Sequence, residues 1–161
     1  MTFSFIKKTA LTVVMLQALA IVPAHATGAA SEDALTFGQL LGEYCPGQWE
    51  SAHCLKAVSQ SNMVMVSNYG AALQESGKKQ AAEQLKQHCA ASTAGTEGDY
   101  PAYAMKSAFT ECANTIGDLA GQTNLKPDLS HYQLLVGATM CLDGAAECAP
   151  IEKTLRQLAG R

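Results

Sequence analysis

The stretch YCPGQWESAHCL, residues 44–55, places two cysteines eight residues apart around a Pro-Gly pair and the only tryptophan of the chain, Trp49. Structural zinc sites use Cys or His pairs separated by about two to four residues, so Cys45 and Cys54 are too far apart for such a pair. The Pro-Gly pair favours a tight turn between them. We therefore interpret the stretch as a disulfide-closed loop that joins the end of one helix to the head of the next.

The N-terminus has the order of segments that is typical of a secretory signal peptide. Lys7 and Lys8 precede an uncharged apolar run, TALTVVMLQALAIV at residues 9–22, and Ala24 and Ala26 are the small residues of a cleavage site. The run has about 14 residues, fewer than the roughly 20 that a membrane-spanning helix needs. We therefore expect cleavage after Ala26.

Cleavage would divide the chain into a signal peptide, residues 1–26, and a single mature domain, residues 27–161. The mature domain is long enough to bury a hydrophobic core. Without the two lysines of the signal it has 9 basic and 14 acidic residues, a net charge of −5. An acidic surface disfavours nucleic acid as a partner, and no basic amphipathic segment indicates a membrane surface. We expect a periplasmic protein that binds neither nucleic acid nor, after cleavage, a membrane.

The cysteine count predicts three disulfides, since an even number in a secreted chain is typical of a disulfide framework. All six lie in the mature domain: Cys45, Cys54, Cys89, Cys112, Cys141 and Cys148. Sequence alone does not choose among the fifteen pairings. The spacing favours one bond within the first two cysteines and one within the last two, which leaves the middle two to be joined across a helix–loop–helix.

Apolar residues recur at three- and four-residue steps through most of the mature domain, which predicts an all-α fold. The clearest case runs from about Ser51 to Glu75, with Gly77 placed to end the helix. Its central NMVMVSN, residues 62–68, alternates like a strand, but the helical period continues on both sides. We predict a small disulfide-stapled bundle of about five to six helices.

Caps, prolines and glycines predict the other helices and the loops between them. The predicted helices cover 31–44 and 78–91, run from Pro101 to Gly121, and begin at Pro127 and at Pro150. The glycine-rich stretch 92–101 is predicted to be a surface loop.

No motif for catalysis or metal binding is visible. His53 and His88 each precede a cysteine, but neighbouring side chains in a helix point about 100° apart, and we expect the cysteines to be oxidised. CxxC, HxxxH, HExxH, GxSxG and P-loop patterns are all missing from the sequence. A copper site is conceivable for methionines, but at helical spacing we interpret these as core residues: Met63, Met65, Met105 and Met140. We therefore expect no catalytic residue, no cofactor and no metal, and a binding protein rather than an enzyme.

Binding of a protein partner is the function class that remains. Aromatic side chains on constrained loops are typical anchors of protein interfaces, and acidic side chains would suit a basic partner. The candidate partner-binding residues are Tyr44, Trp49, Glu97, Asp99, Tyr100 and Tyr103. For Trp49 a second interpretation stays open, in which the ring covers the adjacent helix end.

TFGQLLGEYC followed by HCLKAVSQSNMVMV resembles the opening of the resistance-associated immunity proteins of type VI secretion systems. These are small periplasmic helical proteins that neutralise peptidoglycan-amidase toxins. The residues that carry the resemblance are Phe37, Leu40, Leu41, Cys45 and Cys54, with Cys89, the segment 101–120 and KPDLSHYQLLVGATMC further on. The resemblance implies an immunity or inhibitor protein that binds a cell-wall-degrading toxin and blocks its active site.

Two alternatives stand beside this interpretation. The Cys-x8-Cys opening and MCLDG at residues 140–144 are also similar to plant pectin-methylesterase inhibitors, another family of helical inhibitors. The same features equally permit a non-enzymatic structural or adaptor component of an envelope secretion or conjugation machine. In each case the partner is a protein, and the sequence leaves open whether the chain also forms a homodimer.

Overall fold

The computed structural model describes residues 37–43, 45, 47, 51–94, 102–144 and 148–159. The predicted signal peptide, residues 1–26, and the predicted start of the first helix at residue 31 lie outside these residues. Six helices form the described part of the chain, with no strand in it, which confirms the all-α prediction. They are α1 (37–43), α2 (Ala52–Glu75), α3 (Lys79–Thr93), α4 (Ala102–Thr123), α5 (Leu129–Leu142) and α6 (Ala149–Leu158).

Four of the helices form a bundle in which each packs on the next. The main contacts join α2 to α3, α3 to α4, α4 to α5 and α5 back to α2, whereas α2 and α4 barely touch. Helices α2 and α4 therefore occupy diagonally opposite corners, and their outer faces point to opposite sides of the bundle. Helix α6 packs on α5, and α1 meets the end of α6 where Gly38 approaches the Leu158 carbonyl.

The predicted bounds of α2 are confirmed, and local signals at both ends explain them. At the start, the Ser51 hydroxyl accepts a hydrogen bond from the Cys54 N–H at 3.1 Å, as expected of an N-cap. At the end, Gly77 adopts a φ of 76°, and the Lys78 N–H donates to the Leu73 carbonyl at 2.8 Å. This is a Schellman motif, in which glycine takes the left-handed position at low cost.

Three predicted boundaries are wrong, the first being the end of α4, which was predicted at Gly121 but lies at Thr123. Helix α3 continues to Thr93, so Ser92, predicted to begin a surface loop, is helical and buried. Helix α5 does not open at Pro127. It begins at Leu129, because the Asp128 carboxylate accepts the backbone N–H of Ser130 at 2.9 Å and so forms the cap.

The core follows the predicted helical period, with exceptions on the outer faces. Met65 and Met105 are buried, as predicted for core methionines. Met63 and Met140 are not core residues: they are 49% and 45% exposed, and Leu129 is 55% exposed. Periodicity alone does not identify the neighbours of a helix, so it overestimated how much of α2 and α5 is covered.

Three disulfides join helices that are consecutive in the chain. They are Cys45–Cys54 between α1 and α2, Cys89–Cys112 between α3 and α4, and Cys141–Cys148 between α5 and α6. Their Cα–Cα distances are 4.6, 4.5 and 5.5 Å, and no cysteine is left free. The pairing is the one that the spacing favours.

A candidate protein-binding surface on α4

Of the residues predicted to contact a partner, the structure describes Tyr103. The other five lie outside the described residues and stay predictions: Tyr44, Trp49, Glu97, Asp99 and Tyr100. Tyr103 lies on the first turn of α4 and is 78% exposed. No other large hydrophobic side chain in the described ranges is as exposed.

Tyr103 begins a row of neutral side chains along the outer face of α4. Tyr103, Ser107, Thr110 and Asn114 follow at steps of three or four residues, so they lie one above another on the helix. All four are exposed, and they line one shallow depression of the surface. We call these four residues the Tyr103 strip.

An ion pair on one side and a histidine–carboxylate hydrogen bond on the other border the strip. Lys106 pairs with Asp143 beyond the end of α5, and His88 Nδ1 of α3 lies 2.8 Å from Glu111 Oε1. Exposed pairs of this kind stabilise a protein by at most about 1 kcal/mol. Their consequence here is the charge distribution: the ionisable groups are paired at the edges, and the middle of the surface is neutral.

The inner face of α4 fixes the strip in place. Phe109 is fully buried beneath it, and the Cys89–Cys112 disulfide ties α4 to α3. On the other side, the Tyr132 hydroxyl of α5 donates to the Ala113 carbonyl at 3.3 Å. A helix held from both sides presents its outer side chains without a large ordering cost on binding.

The strip combines an aromatic ring with hydrogen-bonding groups. The Thr110 hydroxyl donates to the Lys106 carbonyl at 2.8 Å, which leaves its oxygen as an acceptor. Ser107 and Asn114 can both donate and accept. Tyrosine is enriched among interface hot spots, whereas serine and threonine are under-represented there, so Tyr103 is the candidate anchor and the polar side chains are its surroundings.

Sequence reasoning found Tyr103 but missed Ser107, Thr110 and Asn114. The sequence does contain a pattern that marks these residues: polar side chains recur every three or four positions along α4, and the opposite face of the helix is apolar. Without the positions of α3 and α5, this row could not be distinguished from any other solvated helix face.

The described residues contain no cluster of three His, Cys, Asp or Glu side chains able to hold a metal ion. Within the same ranges, no helix combines the length and the apolar character required to cross a bilayer. The fold places the chain in the class of all-α, disulfide-linked helical bundles. Comparisons with family models, with curated proteins and with solved structures find no match.

Proposed function

We propose that the chain is a periplasmic immunity or inhibitor protein, which binds a cell-wall-degrading toxin of the peptidoglycan amidase type and blocks its active site. The observation that carries the proposal is the 78% exposure of Tyr103 on a neutral strip of a rigidly held helix. Large exposed aromatics in a preorganised setting carry much of the energy of protein interfaces. The three disulfides support an oxidising compartment, where such a toxin acts.

The position of Tyr103 in the chain suggests how blocking would work. Residues 95–101 directly precede α4 and include Glu97 and Asp99. We propose that this segment enters the active-site cleft of the toxin while the Tyr103 strip binds the rim. A strip held to both neighbouring helices would fix where the segment enters.

A structural or adaptor component of an envelope machine is the second candidate. The same strip would suit a component of a secretion or conjugation apparatus as its partner, since aromatic anchors serve either kind of interface. The identity of the protein that contacts Tyr103 separates the two functions.

Site-specific photo-crosslinking tests the proposal directly. A photoreactive phenylalanine replaces Tyr103 in one variant and Gln122, an exposed residue near the other end of α4, in the control. We expect position 103 to crosslink a peptidoglycan hydrolase in the periplasm of the native cell, and position 122 to crosslink it much less. Crosslinking of an apparatus component instead would favour the adaptor function, and equal labelling at both positions would refute the strip as the interface.

An inhibition assay then tests blocking. The purified hydrolase is incubated with the chain and its release of peptide from peptidoglycan is measured. Tyr103→Ala should weaken inhibition about 30-fold, the effect of losing roughly 2 kcal/mol at a hot spot. Gln122→Ala should inhibit as the wild type does. A hydrolase that stays fully active when saturated with the chain would rule out the inhibitor function.

A further inference from the structure

The outer face of α2 is free of charge over most of its length. Residues 57–74, AVSQSNMVMVSNYGAALQ, contain no Asp, Glu, Lys or Arg, which is about five helical turns. Lys56 and Glu75 border this run, and both are exposed. The mature chain otherwise has 23 charged residues, so a neutral run of this length on an outer helix needs an explanation.

The side chains of this face form a row with a projection and a notch. Gln60, Met63, Ser67, Ala71 and Gln74 follow at steps of three or four residues and are exposed or half-buried. Met63 projects from the middle, with 49% of its surface exposed. The small side chains of Ser67 and Ala71 leave a lower region beside it. We call these five residues the α2 face.

The notch continues into a groove between α2 and α3. Gly70 and Ala71 line it from α2, and Ala82, Glu83 and Lys86 line it from α3. Val66 and Leu85 also line it, so its lining is apolar as well as small, whereas its outer edge has one acidic and one basic side chain. A methionine side chain is long and flexible enough to fill such an irregular groove.

We propose that the α2 face is the interface of a homodimer, in which a second copy of the chain packs with its α2 antiparallel. Lys56 and Glu75 lie 19 residues apart, or about 28 Å along the helix, and the midpoint falls between Met65 and Val66. A two-fold axis through this midpoint brings Lys56 level with the partner's Glu75, and Glu75 level with the partner's Lys56. The two positions are about 100° apart around the helix, so their long side chains have to bridge the remaining gap. Met63 then faces the partner's notch, as the self-complementary contact of a two-fold dimer requires.

Charge complementarity identifies a second copy as the occupant. Neither Lys56 nor Glu75 has a salt-bridge partner within the described residues. An antiparallel copy pairs both charges at once, whereas a parallel copy would oppose like charges. Two mature chains, each of net charge −5 after the predicted cleavage, repel each other, and the neutral run is where they can approach without placing like charges in contact.

The dimer would be weak and would leave the Tyr103 strip free. A face about 28 Å long and one helix wide, about 10 Å, buries roughly 300 Å² per copy, less than the roughly 800 Å² of a standard interface. Because α2 and α4 lie at opposite corners of the bundle, each dimer would present two Tyr103 strips outward.

Sedimentation velocity tests the dimer on the oxidised protein exported to a bacterial periplasm, from about 1 µM to about 500 µM, the range of weak interfaces. We expect the average mass to rise from monomer towards dimer. Lys56→Glu and Glu75→Lys should each weaken association about tenfold, because each variant places like charges together at both ends. The double variant K56E/E75K should restore wild-type association, since the charges are then only exchanged.

Control variants separate the interface from the fold and from the proposed function. Ala71→Glu should abolish association, whereas Gln87→Glu, on the exposed surface of α3, should leave it unchanged. Circular dichroism and the urea midpoint should match the wild type in all of them. Tyr103→Ala should dimerise normally, so loss of inhibition and loss of dimer are distinguishable. A protein that stays monomeric at every concentration, or a double variant that does not recover association, overturns the proposal.

Discussion

Asn62 of α2 donates a hydrogen bond from Nδ2 to the Oγ of Ser92 of α3 over 2.6 Å, and both residues are buried. Ser92 in turn donates to the Cys89 carbonyl at 2.9 Å, and the Asn62 Nδ2 lies 3.4 Å from Cys112 Sγ. One amide therefore links α2 to the disulfide that joins α3 to α4. A polar group at this depth is costly unless it is hydrogen-bonded, so the pair makes the packing of the three helices specific.

Asn62→Ala should lower the free energy of unfolding by about 3 kcal/mol, because it leaves Ser92 without this donor and opens a cavity. A double-mutant cycle with Ser92→Ala should give a coupling energy of about 1 kcal/mol, measured by urea unfolding. Ser67→Ala, exposed on the same helix, should change stability by less than about 0.5 kcal/mol. Strict additivity of the Asn62 and Ser92 effects would contradict the network.

Tyr69 should make stability depend on alkaline pH. Burial raises the pKa of Tyr69, and a hydrogen bond with the Thr123 side chain offsets part of the rise. The folded state therefore holds the phenol proton more tightly than the unfolded state does. This stabilisation is fully present below about pH 10, the ordinary pKa of tyrosine, and is lost as the pH rises through the raised value.

Urea unfolding between about pH 8 and about pH 11 measures this effect. The free energy of unfolding of Tyr69→Phe should fall less at alkaline pH than that of the wild type. At neutral pH the variant should be about 1 kcal/mol less stable, because the Tyr69 hydroxyl donates to the Leu125 carbonyl at 3.0 Å. The exposed Tyr103 provides the control, since Tyr103→Phe should retain the full alkaline loss. Identical pH profiles for the Tyr69 variant and the wild type would show that this phenol is not involved.

The disulfides should differ in how much they stabilise the fold. Cys89–Cys112 closes a separation of 23 residues, against 9 and 7 for the other two bonds. In the chain-entropy model, removing it by paired alanine substitution costs about 3.4 kcal/mol, compared with about 2.5 kcal/mol for either short loop. Denaturant unfolding of the three double variants measures which of them loses most stability. A short-loop variant that is the least stable of the three would contradict this prediction.

Gly38→Ala should destabilise the contact between α1 and α6. A Cβ at this position would lie 2.6 Å from the Leu158 carbonyl oxygen and 2.8 Å from the Ala159 Cα. Backbone atoms cannot rotate away, so we expect a loss of about 1–3 kcal/mol in unfolding experiments. Gly121→Ala is the matched control, because its Cβ would meet nothing within 4 Å. Gly121→Ala should stabilise α4 by up to about 1 kcal/mol. A Gly38→Ala variant as stable as the wild type would argue against the contact between α1 and α6.

Local signals in the sequence were sufficient where a helix end depends on the residues beside it. The helical period and the stop at Gly77 predicted the bounds of α2 correctly, because the Ser51 hydroxyl and a left-handed glycine act within a few residues. The failure at Ser92 has the opposite cause. Serine next to a glycine-rich segment is typical of a loop, but its hydroxyl is occupied by Asn62, 30 residues away, and the helix continues.

The candidate site was predictable only in part for a related reason. Tyr103 was identified as an aromatic next to the predicted loop. The other members of its strip became recognisable only when Lys106–Asp143 and His88–Glu111 were seen to border them. Such pairs join α4 to other helices, and a pattern along one helix does not contain them.

The sequence by itself determined the helical period, the positions of the main turns and the cysteine spacing, because each depends on residues close together in the chain. Only the tertiary structure decided which faces remain outside. Met65 and Met63 lie two residues apart on α2, yet one is 1% exposed and the other 49%. Residues two apart point to different sides of a helix, and the position of the neighbouring helices decides which side is covered.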